Sequence, residues 1–254
     1  MPLEIVTIPC LSDNYAFLIH DAASGDTALV DAPESAPIQA ALDARGWRLS
    51  HILITHHHGD HIDGVSALRE TGVTVVGARN DAHRLPKLDQ AVSDGDIFQF
   101  ASHDVQVFDV SGHTIGHIAF YMPDASAVFT ADSLMALGCG RLFEGTPDQM
   151  WTSLSKLAAL PADTLVCSGH EYTATNARFA LTIEPENDAL IARANAITKA
   201  RESGQPTVPS TLSEELATNP FLRAGLSEVK QALNMTNASD TDVFAEIRHR
   251  KDVF

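Results

Sequence analysis

The stretch Thr55-His-His-His-Gly-Asp-His61 constrains this chain more than any other feature, because an apolar run at 51–55 leads into it and a helical pattern follows it. Alternate side chains of an extended segment point the same way. His56 and His58 can therefore grip one metal ion, while a turn at Gly59 redirects Asp60 and His61 towards a second. Imidazole nitrogen combined with carboxylate oxygen is the ligand chemistry of zinc, iron or manganese, and the lack of thiolates argues against a purely structural zinc site. His57 faces away from His56 and His58 and is assigned a structural or supporting role.

This cluster holds too few ligands for two ions, so the remainder must come from elsewhere. Three candidates follow predicted strands: His113 in Ser111-Gly-His-Thr-Ile-Gly-His117, Asp132 after the strand ending at Ala131, and His170 in Ser168-Gly-His-Glu-Tyr172. A small residue, Gly or Ala, precedes each and lets a loop approach an ion closely. Loops at one end of a sheet are where sites are built. His20, His51, His83 and His103 stand in strands or polar loops and are read as structural, and His117 as a local hydrogen-bonding or ligand-orienting group.

Composition narrows the class. With 44% hydrophobic and 20% charged residues in 254, a folded core is expected. The net charge of −16 repels nucleic-acid phosphates and anionic membranes, so neither is an expected partner. The acidity is uneven: residues 1–170 carry a net −13 and residues 171–254 only −3. Cys10, Cys139 and Cys167 form no CxxC pair, which fits a reducing compartment. The opening MPLEIVTIPC lacks a basic leader and an apolar signal core, and no run of about 18 apolar residues occurs. A cytoplasmic protein is expected.

Along the chain, β-type runs at 3–9, 15–20 and 27–31 separated by turn residues read as an antiparallel start. A helix at 37–45, a strand at 51–55, a helix at 65–70 and a strand at 73–76 imply crossover connections. Strands are predicted at 97–100, 105–110, 118–122 and 128–131, a helix at 147–160 and a last strand at 164–167. After His170 the β signal stops and helices are predicted at 173–181, 188–203, 227–233 and 242–250. The linker at 205–210 and the break at Asn219-Pro220 divide them, and the boundary between two parts falls near residue 170.

The HxHxDH pattern of residues 56–61, followed by separated His113, Asp132 and His170, resembles the metallo-β-lactamase superfamily over residues 1–170. Within it the chain is similar to the glyoxalase II (hydroxyacylglutathione hydrolase) family, through Ser12-Asp-Asn-Tyr15, Gly138-Cys-Gly-Arg141 with Glu144-Gly145, and Gly169-His-Glu-Tyr172. The tail adds Thr218-Asn-Pro-Phe-Leu-Arg223 and Arg248-His-Arg-Lys-Asp252, which are the specific part of the likeness.

The resemblance implies an α/β chain with a four-layer αββα sandwich at 1–170, followed by a small all-helical domain at 171–254 that binds glutathione. It implies two divalent metal ions, zinc first, with iron or manganese as alternatives. His56, His58 and His113 would hold one ion, Asp60, His61 and His170 the other, and Asp132 would bridge them. A hydroxide shared by the ions, beside Asp132 and Asp60, would attack the thioester of an S-(2-hydroxyacyl)glutathione, typically S-D-lactoylglutathione. Glutathione and D-lactate would leave, a step of methylglyoxal detoxification. Arg141, Tyr172, Arg248 and Lys251 match the family's glutathione-contacting positions, and Arg248 and Lys251 share one face of a predicted helix.

Some members carry Lys and Tyr where this chain has Arg141 and Phe143, which keeps the cation and removes a phenolic hydroxyl. Gly59 stands where others often have a larger residue. The competing reading inside the fold is a mononuclear-iron persulfide dioxygenase or another metal-dependent hydrolase; the helical tail with its Arg248 and Lys251 argues against the dioxygenase. A monomer or weak oligomer is expected.

Overall fold

The computed structural model describes residues 3–254; Met1 and Pro2, the first residues of the expected first domain, lie outside them. The chain folds as two compact units, one running to Asp109 with Ile115–Ala131, the other made of Val110–Thr114 with Asp132–Phe254.

In the first unit, β1 (Glu4–Cys10), β2 (Asn14–His20) and β3 (Asp26–Val30) form the expected antiparallel start. From β3 the pairing turns parallel through β4 (Arg48–Leu53), β5 (Thr74–Ala78) and β6 (Gln90–Val92). Parallel neighbours need a crossover. Helix α1 (Ser35–Arg45) makes the first, and the short α2 (Gly59–Ile62) and α3 (Val65–Leu68) lie in the second. Gly46, at φ 67°, ends α1 in the left-handed conformation that only glycine adopts without strain, and Trp47 N–H closes back on Leu42 O at 3.0 Å.

The strands β7 (Ile97–Phe100), β8 (His103–Asp109), β9 (Ile118–Met122) and β10 (Ala127–Ala131) pair antiparallel in chain order. They pack face to face on the first sheet: Phe17 of β2 meets Phe129 of β10 edge-on at 5.6 Å, and His51 of β4 meets Phe100 of β7 at 5.5 Å. Both β9 and β10 are buried at every position, as their continuous apolar character requires.

The second unit opens with a two-stranded hairpin, β11 (Leu134–Met135) and β12 (Gly138–Cys139). Helix α4 (Pro147–Ala158) starts on a capping box between Thr146 and Gln149 and buries Met150, Ser153, Leu154 and Leu157. After β13 (Leu165–Ser168) come α5 (Thr173–Ile183), α6 (Asp188–Glu202), β14 (Ser210–Thr211), α7 (Leu212–Thr218), α8 (Ser227–Ala232) and α9 (Asp240–Asp252). The predicted loss of β structure after His170 needs one correction. Ser210 and Thr211 pair antiparallel with Val166 and Leu165, and α7 follows at once on a Thr211/Glu214 capping box. That Thr-x-x-Glu signal was present in the sequence.

No helix among the described residues is long and apolar enough to cross a membrane. Because Phe129 is fully buried between two sheets, Phe129→Ala is expected to destabilise the protein by ~3–5 kcal/mol, measured by urea unfolding.

Candidate metal centre and cation cluster

In the first unit β4 ends at Leu53, and Thr55 to His58 run on irregularly until Gly59 starts α2, with His58 as the extended N-cap. His61 N–H bonds His58 O at 2.9 Å, so the turn expected at Gly59 forms and reverses the direction of the ligand run. His56 and His61 are fully buried, while His58 and Asp60 are partly open.

The structure brings these four side chains together. His56 Nε2 and His58 Nδ1 are 3.2 Å apart, close to the roughly 3.3 Å that separates two nitrogens bound tetrahedrally to one zinc at about 2.0–2.1 Å. His61 Nε2 lies 3.8 Å from Asp60 Oδ2, and the ring centroids of His56 and His61 are 4.2 Å apart.

Asp31, which the sequence pattern leaves out of the site, organises this group. At the end of β3, in a left-handed conformation with φ 56°, its buried carboxylate accepts from Thr55 N (2.9 Å), Thr55 Oγ1 (2.8 Å) and His61 Nδ1 (2.8 Å). A carboxylate only accepts, so His61 carries its proton on Nδ1 and presents the lone pair of Nε2. Thr55 Oγ1, its own proton given to Asp31, lies 3.1 Å from His56 Nδ1 and fixes that ring in the same way. A sign was available in the sequence: an aspartate closing a predicted apolar strand, as Asp132 does.

Neighbouring residues explain two further motif positions. Asn14 of the Ser12–Tyr15 motif donates to both Asp60 O (3.0 Å) and Asp60 Oδ2 (3.1 Å). His57 points away as expected, with Nδ1 3.1 Å from Asp81 Oδ2 and Nε2 3.2 Å from Arg84 Nη1. His117 stacks on His56 at 4.5 Å. His20 and His103, read as structural, have local partners: His20 bonds Thr27 (2.9 Å) and stacks on Trp47, and His103 bonds Asp124 (2.7 Å).

In the second unit the loop carrying His113 is held on α4. Ser153 Oγ donates to Ser111 O at 2.7 Å, and Gly112 passes so close that a Cβ there would stand 2.7 Å from Met150 Cβ. His113 Nδ1 donates to Arg141 O at 2.7 Å, leaving Nε2 to face Asp132 Oδ2 at 3.4 Å. His170 Nε2 faces the other oxygen, Asp132 Oδ1, at 3.3 Å. One carboxylate thus stands between two imidazoles with a separate oxygen towards each, a donor layout that suits an aspartate bridging two ions.

The four residues matched to glutathione binding are also in this unit. Tyr172, half exposed, stacks on His170 at 4.7 Å and 9°. Arg141 Nε is 3.3 Å and Arg248 Nη2 3.0 Å from Asp252 Oδ1. Arg248 is buried: Nη1 donates to Cys139 O at 2.8 Å and the guanidinium lies over Phe221 at 5.1 Å. Lys251 Nζ stands 5.2 Å from the ring centroids of Phe179 and Phe254. Burial, then the charges of Arg248 and Arg178, push the Lys251 ammonium down to about 8. Burial also pushes the Cys139 thiol up to about 11, so it is no nucleophile at neutral pH.

Asp31 generates a first expectation about the site. Asp31→Ala is expected to weaken binding of a divalent ion by about 10–100-fold, as loss of the carboxylate behind a ligating histidine generally does. Competition with a chromogenic chelator measures it.

Comparison with known proteins bears on the same residues. A model of the metallo-beta-lactamase superfamily matches residues 12–170, and one described as the hydroxyacylglutathione hydrolase C-terminus matches residues 171–254. A protein named hydroxyacylglutathione hydrolase from Ruegeria pomeroyi is 67% identical over 255 aligned positions, covering 100% of both chains. One of the same name from Cereibacter sphaeroides is 65% identical with the same coverage. Among solved structures, TTHA1623 in a di-iron-bound form is 25% identical, covers 87% of this chain and 100% of its own, and superposes with a TM-score of 0.61. With the two models matching adjoining stretches from residue 12 to 254 and relatives this similar over the whole length, the chain belongs to the hydroxyacylglutathione hydrolase family of the metallo-β-lactamase superfamily.

Proposed function

We propose that this chain hydrolyses S-(2-hydroxyacyl)glutathione thioesters, S-D-lactoylglutathione foremost, to glutathione and the 2-hydroxy acid, and so serves methylglyoxal detoxification in the cytoplasm. The observation that carries the reading is Asp132, with its two oxygens facing His113 and His170 at 3.4 and 3.3 Å. Together with the family membership it supports a dinuclear centre in which Asp132 would bridge, His56, His58 and His113 would hold one ion, and Asp60, His61 and His170 would hold the other. The nitrogen and oxygen donor set suits zinc, and iron is the alternative that the di-iron relative keeps open. When bound, such ions supply Lewis acidity: they acidify a shared water and polarise the thioester carbonyl.

The protein's own residues do the rest. Asp31, Thr55 and the Arg141 carbonyl fix the tautomer of three imidazoles, holding the proton on Nδ1 and leaving Nε2 for a cation. Residues 171–254, matched to the family's C-terminal region, act as the glutathione-binding domain behind the catalytic part at 1–170. Glutathione carries two carboxylates, and Asp252 Oδ1 between Arg141 and Arg248 marks a place where a carboxylate fits. Lys251 adds a third cation, and Tyr172 a phenol oriented by its stack on His170. Phe143, exposed beside His113 at 5.2 Å, offers an apolar edge and no hydroxyl. A thiolate leaves readily, so no dedicated general acid is required. Nothing in this chemistry calls for a nucleic-acid, membrane or protein partner, and a monomer or weak oligomer suffices.

Thioester cleavage by the purified protein, followed by absorbance, tests the reading: chelation should abolish it, zinc should restore it, and Asp132→Ala should lack it under any metal. Oxygen uptake with glutathione persulfide and no thioester cleavage would overturn it in favour of a dioxygenase. Lys251 sets a pH dependence. Its ammonium is charged below pH about 8 and neutral above, so kcat/KM should fall as pH rises through about 8, through a rise in KM. Lys251→Arg should flatten that limb, and Lys251→Ala should raise KM about tenfold at pH 7 with kcat little changed.

A further inference from the structure

We infer that Glu215 and Asn219, in the helical part of the chain, are positioning residues for the metal ligands Asp132 and His113, acting through the β11–β12 hairpin. The inference rests on the reading of those two residues as ligands. It also gives a task to the Thr218–Arg223 motif, which glutathione binding leaves without one.

The hairpin joins Asp132 to Arg141, and side chains of the helical part hold its backbone almost atom by atom. Asn219 Nδ2 lies 3.1 Å from Met135 O and 3.0 Å from Gly138 O. Asn176 Nδ2 donates to Ala136 O at 3.0 Å, Leu137 N donates to Glu215 Oε2 at 2.8 Å, and Arg248 takes Cys139 O at 2.8 Å. Five consecutive residues of a tight turn thus have a main-chain group bound by α5, α7, α9 or the residue just after α7. Main-chain groups buried in a turn need such partners, and these bonds fix the hairpin against the helices.

Glu215 and Asn219 are fully buried and tied to each other, with Asn219 Nδ2 3.0 Å from Glu215 Oε2. Arg193 of α6 pairs with Glu215 Oε1 and bonds Thr218 Oγ1 at 2.7 Å, so the interior carboxylate has a countercharge beside it. Leu137 adopts φ 56°, strained for a branched side chain, and is kept there by the Glu215 bond and by burial of its side chain among Ala177, Ala180, Leu190 and Ile197.

The far ends of the hairpin transmit this placement to the site. Gly140 N–H bonds Ser133 O at 3.2 Å, and a Cβ at Gly140 would fall 2.0 Å from Asp132 O, so the two arms touch where the ligand leaves the chain. The next residue, Arg141, gives its carbonyl to His113 Nδ1. A shift of the hairpin therefore moves Asp132 and the acceptor that orients His113 together.

The test uses the full-length protein stripped of metal and titrated with zinc alone against a chromogenic chelator. Asn219→Ala and Glu215→Gln should bind zinc at least about tenfold more weakly than the parent, and thioesterase kcat should fall with KM little changed. Excess zinc should restore part of kcat. Leu42→Ala, which loosens the core under α1 away from every candidate ligand, should leave zinc affinity unmoved and so separates positioning from general loosening. Folded variants, judged by circular dichroism, whose zinc affinity stays within twofold of the parent would overturn the inference. Should neither variant fold, Asn176→Ala, which removes only the bond to Ala136 O, decides by the same titration. A parent that binds zinc but cleaves no thioester, with the zinc difference intact, would count against the proposed function alone.

Discussion

A neutral imidazole offers a cation one nitrogen while the other carries the proton, and much of the candidate site is arranged around an acceptor for that proton. His61 finds it in Asp31, His56 in Thr55 Oγ1, and His113 in a main-chain carbonyl at Arg141. Each acceptor needs its own support. Asp31 is placed by the end of β3 and a left-handed backbone, and Thr55 by its two bonds to Asp31. Arg141 O is placed by the hairpin before it. The fold is in this sense a device for holding acceptors behind imidazoles.

The two units provide such acceptors by different means. In the first, parallel strands β3 and β4 end side by side, so a carboxylate at the end of one reaches the ligand run that follows the other. Parallel register makes this economical: the same end of each strand points to the same edge of the sheet. In the second, irregular backbone carries the candidate ligands, and irregular backbone needs external partners for its polar groups. Buried Asn, Glu and Arg side chains fill that need, which accounts for polar residues as deep as Glu215 and Asn219. The same helices carry Arg248 and Lys251, so one set of elements holds the hairpin and presents cations.

Much of the candidate site was legible from spacing and strand ends. The ligand run at 56–61 announced itself, and His113, Asp132 and His170 followed predicted strands; the structure gathers each group within its own unit. Most helix and strand positions were also readable from periodicity. What stayed hidden was of one kind: groups that act on a ligand from far along the chain. Asp31 is 30 residues from His61, and Glu215 is 78 from Leu137. No local pattern connects such pairs, because hydrogen bonding depends on distance in space. The short β14 escaped for a related reason, since a two-residue strand is defined by its partner β13 and not by its own sequence.

By itself, then, the sequence determined the candidate donor set, the family, the strongly acidic first part and the less acidic helical tail, because residue identity and short-range period carry those directly. Only the tertiary structure decided that Asp132 turns one oxygen to His113 and the other to His170, that Arg248 is committed to Cys139 O, and that the Thr218–Arg223 motif braces a hairpin. Those facts depend on which main-chain groups burial brings beside which side chains, and that is settled when the helices pack.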